Sequence, residues 1–223
     1  MSIGDNVMNS VRNLRLLGQE VELLIGDLEN LLNKPGLSPL ISFEARDDSC
    51  DEDFYRAENS WVRDGFRWTF PARKKTKSPG KKPKIGSLSL MIDLGGEGRP
   101  AVTIGAPCVV IAWASKEDSW ADTLDGDADF WPVSRADYRI IEQKLFWWTG
   151  EEAEEERPLL GCAVDSSWFY IVPLFGLSNR SCIDELIVKP VVRLLDNKDV
   201  DYSFANANAV ISFDWIDGRP CAL

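Results

Sequence analysis

The 223-residue chain contains no histidine. Without an imidazole, Ser-His-Asp and Cys-His nucleophiles, histidine-bound metal centres and the commonest general base near neutral pH are all unavailable. Any catalysis would have to run on carboxylates, lysines, tyrosines or an oxygen-ligated metal ion, which moves the expectation away from an enzyme. Paired cysteines are missing too. Cys50, Cys108, Cys162, Cys182 and Cys221 are odd in number, widely spaced and never arranged as C-x-x-C, so neither a zinc site nor a disulfide framework is expected. Such thiols suit a reducing cytoplasm, and Cys108 and Cys162, set in apolar runs, read as small buried hydrophobes. No run of eighteen or more uncharged apolar residues occurs, and the N-terminal stretch has no uninterrupted apolar core before a cleavage-like site. Neither a membrane span nor an export signal is therefore expected, and no internal repeat is visible. No cofactor-binding signature stands out. Gly95, Gly96 and Gly98 follow a strand-like run, but Arg99-Pro100 reads as leading into another strand, which predicts a hairpin turn and not a phosphate cradle.

What is present suffices for a core: 44% of positions are hydrophobic, enough for one α+β domain over residues 37–223 with a helix over 1–36 attached to it. The helix is predicted across 5–34. Val7, Leu14, Val21 and Leu28 recur every seven residues, Leu17, Leu24 and Leu31 follow three positions on, and Asn33-Lys34-Pro35-Gly36 supplies a stop. At about 1.5 Å per residue it is long for a compact domain. The stripe can lie across the protein's own sheet, or Val7, Leu14, Val21 and Leu28 can pair with a copy of the chain or another protein, with Gly18 as a point of close approach.

Residues 40–45, 60–64, 66–70, 86–94 and 101–114 carry β-branched and aromatic residues with partial alternation, predicting a mainly antiparallel sheet. A helix is expected from Ser134 to Trp148, with Tyr138, Ile141, Leu145 and Trp148 at helical spacing. A third helix opens at Ser181 and is expected to kink or break at Pro190. Further strands are expected at 167–175 and 209–215. Strands clustered first and helices mixed in later indicate α+β, not a repeating βαβ order.

Three groups of residues are candidates for chemistry or binding. Glu142-Gln143-Lys144 matches the E-x-K part of a magnesium-dependent nuclease site, with Asp125, Asp127 or Asp129 as the upstream carboxylate; that chemistry needs Glu142 and Lys144 on one face of a strand. The aspartates of 122–130 fail the EF-hand pattern, since the sixth and twelfth places from Asp125 hold Phe130 and Ala136, so no metal site is predicted. Nine tryptophans, several beside acidic residues, mark Trp131, Trp147 and Trp148 as interface anchors, next to Glu151, Glu152 and Glu154 of the 151–156 acidic run. Adjacent Trp147 and Trp148 on a regular helix could not both face one core.

Charge is segregated. The formal net charge is −11, yet residues 71–84 hold Arg73, Lys74, Lys75, Lys77, Lys81, Lys82 and Lys84 with no acid. Setting these seven aside leaves 18 basic residues against 36 acidic ones. Prolines and a glycine make 71–84 an expected exposed hairpin loop, while 117–129 and 150–157 read as acidic loops. An acidic, tryptophan-rich body steers towards a basic protein partner. The sequence thus reads as a cytoplasmic, non-catalytic protein-binding protein of bacterial or phage type, a regulator, adaptor or immunity-type inhibitor, with homo-oligomerisation through the N-terminal helix as a further expectation. The alternatives are the nuclease just described, or a nucleic-acid-associated protein using the basic loop as its phosphate contact.

Overall fold

The structure, a computed structural model, describes residues 3–46, 65–76, 82–95, 100–115, 138–148, 164–196, 198–205 and 207–223. It opens with one helix, α1 (Ile3–Leu32), followed by strands β1 (Ile41–Phe43), β2 (Gly65–Lys74) and β3 (Lys84–Asp93). A short helix, α2 (Pro100–Ile104), precedes β4 (Cys108–Ser115), and β5 (Tyr138–Ile141), β6 (Leu145–Trp148) and β7 (Trp168–Pro173) follow. Helix α3 (residues 180–195), a single turn α4 (Val200–Ser203) and the hairpin β8 (Phe213–Ile216) and β9 (Arg219–Ala222) complete the order. β1 to β7 form one antiparallel sheet in the order β1-β2-β3-β4-β7-β6-β5, so the arrangement is α+β as the sequence indicates.

Both faces of this sheet are covered, and the alternation of each strand assigns its side chains. One face carries Phe70 of β2, Leu88, Leu90 and Ile92 of β3, Val109, Ile111 and Trp113 of β4, and Trp168, Tyr170 and Val172 of β7. Against it pack the inner side of α1, with Ile25 and Leu28 fully buried, and the apolar residues of α3. Burying the stripe of α1 on this sheet is what holds so long a helix in place, because helical propensity alone is worth little in water. The opposite face holds a second cluster, in which Phe146 stacks on Phe169 at 4.5 Å and meets Phe213 of the β8–β9 hairpin edge-on. On β2 and β3 that same face turns polar: Arg67, Thr69, Ser87, Ser89 and Asp93 are all buried there, and the Thr69 and Ser89 hydroxyls, directly opposite each other, hydrogen-bond at 3.1 Å.

Three expectations change. Residues 138–148 are a hairpin and not a helix. Glu142 and Gln143, the central residues of the turn closed by the Lys144 N–H on the Ile141 carbonyl, adopt positive φ angles of 48° and 58°, whose twist suits antiparallel strands. The spacing of Tyr138, Ile141, Leu145 and Trp148 fits a helix, but so does the alternation of two four-residue strands rich in Ile, Phe and Trp, and pairing of β6 with β7 decides between them. The run 101–114 is not one strand: Pro100 starts α2, where its missing N–H costs nothing, and β4 begins only at Cys108. The connection between the paired strands β3 and β4 therefore includes α2 and is not a tight turn.

The third change concerns Pro190. α3 neither breaks nor ends there. Its middle, Asp184–Val188, is wound as a π-helix, and the Lys189 N–H reaches back five residues to the Asp184 carbonyl. Pro190 has no N–H to give to the carbonyl of Leu186, which an unbroken α-helix would leave orphaned. The Tyr170 hydroxyl, fully buried on β7, supplies the donor, lying 3.1 Å from the Leu186 oxygen and 3.2 Å from that of Ile187. Burial pushes the Tyr170 phenol well above its ordinary pKa, so it stays protonated and able to donate. The widened turn is anchored outside by Lys189, which pairs with Asp184 at 3.1 Å and with Glu185.

Candidate functional site

The most site-like feature among the described residues is a groove of about 440 Å³ between α1 and the segment that leads into α3. Its floor is apolar. Leu17, Val21 and Leu24 come from α1, Ile92 from the end of β3, and Leu174, Leu177 and Ile183 from the turn and first helical residues beyond β7. Glu20 and Asp27, seven residues and about two turns apart on α1, stand along one rim, with Ser178 and Asn179 across from them. Among the described residues, no lysine or arginine lines it. Asn179 is already committed: its side-chain oxygen accepts from the Cys182 N–H at 3.1 Å and caps α3. Two large apolar side chains stand exposed beside the groove, Leu23 of the lining at 66% and Phe175 at 76%, the latter on the turn between Leu174 and Leu177.

The oligomerisation stripe expected from the sequence divides. Val21 and Leu28 are buried in the protein's own core, so a partner helix cannot use them. Val7 and Leu14 belong to α1, but their side chains lie outside the described residues. Among the described residues nothing approaches within 4 Å of a Cβ placed at Gly18, so none of them demands glycine there.

The basic run is only partly a loop. β2 continues through Pro71 to Lys74 and β3 starts at Lys84, with a bulge between Ala72 and Arg73. Arg73 is held by Glu44 at 2.6 Å and donates to the Lys82 carbonyl at 2.7 Å, and the Lys75 ammonium donates to the Ser38 carbonyl. These two cations are fastened to the body, while Lys74 and Lys84 are exposed; Lys77 and Lys81 lie outside the described residues.

Glu142 and Lys144 do not share a strand face. Glu142 sits at the first corner of the β5–β6 turn and Lys144 at its exit, where its N–H closes on the Ile141 carbonyl. The strand geometry that a two-carboxylate magnesium site requires is therefore not the geometry of this motif, and the described residues hold no cluster of three metal-ligating side chains. Asp125, Asp127 and Asp129 lie outside the described residues, as do Trp131, Glu151, Glu152 and Glu154. Trp147 is buried in the helix-covered core and Trp148 is half-buried against the opposite cluster. Two adjacent tryptophans are both absorbed because β6 has protein on each side.

Pro100, which follows the glycine-rich run, opens a helix, contrary to expectation, and two N–H groups beside it are already taken. The Asp93 carboxylate accepts from Ala101 N–H at 2.8 Å and from Gly95 N–H at 3.0 Å. Its neighbour across the strands, Cys108, is buried; that burial, and then the Asp93 charge, push the thiol up, which makes it unreactive.

Reasoning from sequence missed the groove because its floor is assembled from three distant segments. One signal was available. Glu20 and Asp27 flank the apolar stripe at heptad spacing, the position from which acids border a hydrophobic contact. No protein-family model, curated protein or solved structure matches this chain. No helix among the described residues is long and apolar enough to cross a membrane.

Proposed function

We propose that this protein is a non-catalytic binding protein that receives a basic, amphipathic segment of a protein partner in the groove between α1 and α3. The reading rests on the pairing of an apolar floor with an acidic rim at Glu20 and Asp27, which has no lysine or arginine among the described lining residues. Apolar side chains of the incoming segment would bury against Leu24, Leu177 and Ile183, while its lysines or arginines meet the two carboxylates. Helix-in-groove recognition uses this division, with anchors giving affinity and rim charges giving orientation and rate. Leu23 and Phe175 enlarge the apolar contact beyond the floor. The acidic excess of the chain adds long-range attraction for a basic partner. A role as regulator, adaptor or inhibitor of such a partner is the corresponding biology.

A labelled amphipathic helical peptide of leucine and lysine tests the proposal by fluorescence anisotropy. It should bind the wild-type protein, weaken as salt is raised, and lose about tenfold or more in affinity to the Glu20→Lys/Asp27→Lys variant. A leucine and glutamate peptide of the same pattern should not bind. Equal binding of both peptides, or undiminished binding to the charge-reversed variant, overturns the reading.

A further inference from the structure

The outward side of α1 carries a pattern that the core does not use and that shares only Leu23 and Asp27 with the groove. Its exposed side chains include Arg12, Arg15, Leu16, Glu22 and Leu23. Charge is sorted along the helix: both arginines precede Gln19, and four of its five acidic residues follow it. Leu16 and Leu23 are seven residues apart, as are Arg15 and Glu22, so each pair runs along one line of the helix surface, on either side of the outermost edge. Placed parallel and in register, two such helices would set arginine against arginine and acid against acid. Placed antiparallel about a two-fold axis near Gln19, they bring Arg15 to within one residue of the level of Glu22, Leu16 to within one of Leu23 and Arg12 to within one of Asp27, an offset of about 1.5 Å in each case, with each pairing occurring twice by symmetry.

We propose that α1 pairs antiparallel with α1 of a second copy of this chain through this outer face. Arginine meets acid only in that orientation, and it selects a second copy over another partner because one helix supplies both halves of every pairing. The inner face stays on its own sheet, so pairing needs no unfolding. Glu22 currently meets Arg46 at 3.5 Å, an exposed contact that exchanges easily. One helix pair buries less than the roughly 1,000 Å² that a lasting interface needs. The dimer is therefore weak, concentration-dependent and weakened by salt.

Sedimentation velocity over a concentration series, at low and high salt, tests this. The wild type should pass from monomer to dimer as concentration rises. Arg15→Glu alone and Glu22→Arg alone should each raise the dimer dissociation constant by about tenfold, and the double variant Arg15→Glu/Glu22→Arg should restore it, because the reversed charges again meet across the axis. Leu16→Gln should weaken the dimer independently of charge. A wild type that stays monomeric, or a dimer indifferent to the single variants, overturns the proposal; so does a double variant that fails to recover, since that excludes the antiparallel arrangement. All three substituted positions are exposed and none lines the groove; the dimer contact shares Leu23 and Asp27 with it, so peptide binding is read at protein concentrations below the dimerisation range.

Discussion

The two faces of the central sheet solve the same problem with different materials. On one, aliphatic side chains from α1 and α3 meet alternating residues of β2, β3, β4 and β7, and among the described residues buried polar exchange is sparse: the Tyr170 hydroxyl serves the π-turn of α3 and the Trp113 indole N–H donates to the Val164 carbonyl. On the other, aromatic rings of β6, β7 and β8 fill the half near β5, while the half over β2 and β3 buries a row of small polar groups. An apolar face tolerates helices laid over it because helices satisfy their own backbone groups. A polar face has to satisfy each buried group individually. The contrast teaches that burial alone does not identify a core: Thr69 and Ser89 are as hidden as many apolar residues, and their register, not their chemistry, accounts for it.

The comparison can be broken at its aromatic end with the largest effect. Phe146→Ala removes a fully buried ring that stacks on Phe169 and meets Phe213, and chemical denaturation should show a loss of about 3–5 kcal/mol. A loss under about 1 kcal/mol would mean that this face is not a second core. Next comes the helix-covered face. Tyr170→Phe keeps the ring but withdraws the donor from the Leu186 and Ile187 carbonyls, and should cost about 1–3 kcal/mol. Adding Pro190→Ala, which returns an N–H to the helix, should recover part of that cost in a double-mutant cycle; strict additivity would separate the π-turn from the proline. The smallest effect belongs to the polar row. Thr69→Val alone strands the Ser89 hydroxyl and should cost about 1 kcal/mol, whereas Thr69→Val/Ser89→Ala removes both partners and should be close to neutral. A double variant as costly as the sum of the singles would show that each hydroxyl has a further role.

Legibility in the sequence followed the strength of local signals. α1 was readable to within two residues at each end, since its apolar stripe is long and its stop is a run of Asn-Lys-Pro-Gly. The strands β2, β3 and β7 were readable because aromatic and branched residues alternate over six or more positions. The 138–148 segment was not, because eight apolar and polar residues around a short turn satisfy both periods; only β7, supplying partners for Phe146 and Trp147, breaks the tie. Trp147, expected as an interface anchor on a helix with one buried side, lies in the core because the segment is a strand with protein on each side. For the groove, the acidic rim was visible as Glu20 and Asp27, but Ile92, Leu177 and Ile183 gave no sign of meeting there.

Gly86 shows how packing uses a residue that looks incidental in the sequence. A Cβ at that position would fall 2.5 Å from both the Ala114 carbonyl and the Trp113 ring, so the backbone of β3 can approach β4 only with glycine. By itself the sequence determined the α+β class, the amphipathic first helix, the antiparallel strands, the segregated charge and the exclusion of histidine chemistry, because composition and periodicity act locally. Tertiary structure decided which side of α1 is spent on the core, that Arg73 and Lys75 are tied to the body, that Pro190 is absorbed by a π-turn under Tyr170, and that α1 and α3 leave a groove between them. Those outcomes depend on segments up to more than a hundred residues apart meeting on one sheet, and no local propensity encodes where such segments meet.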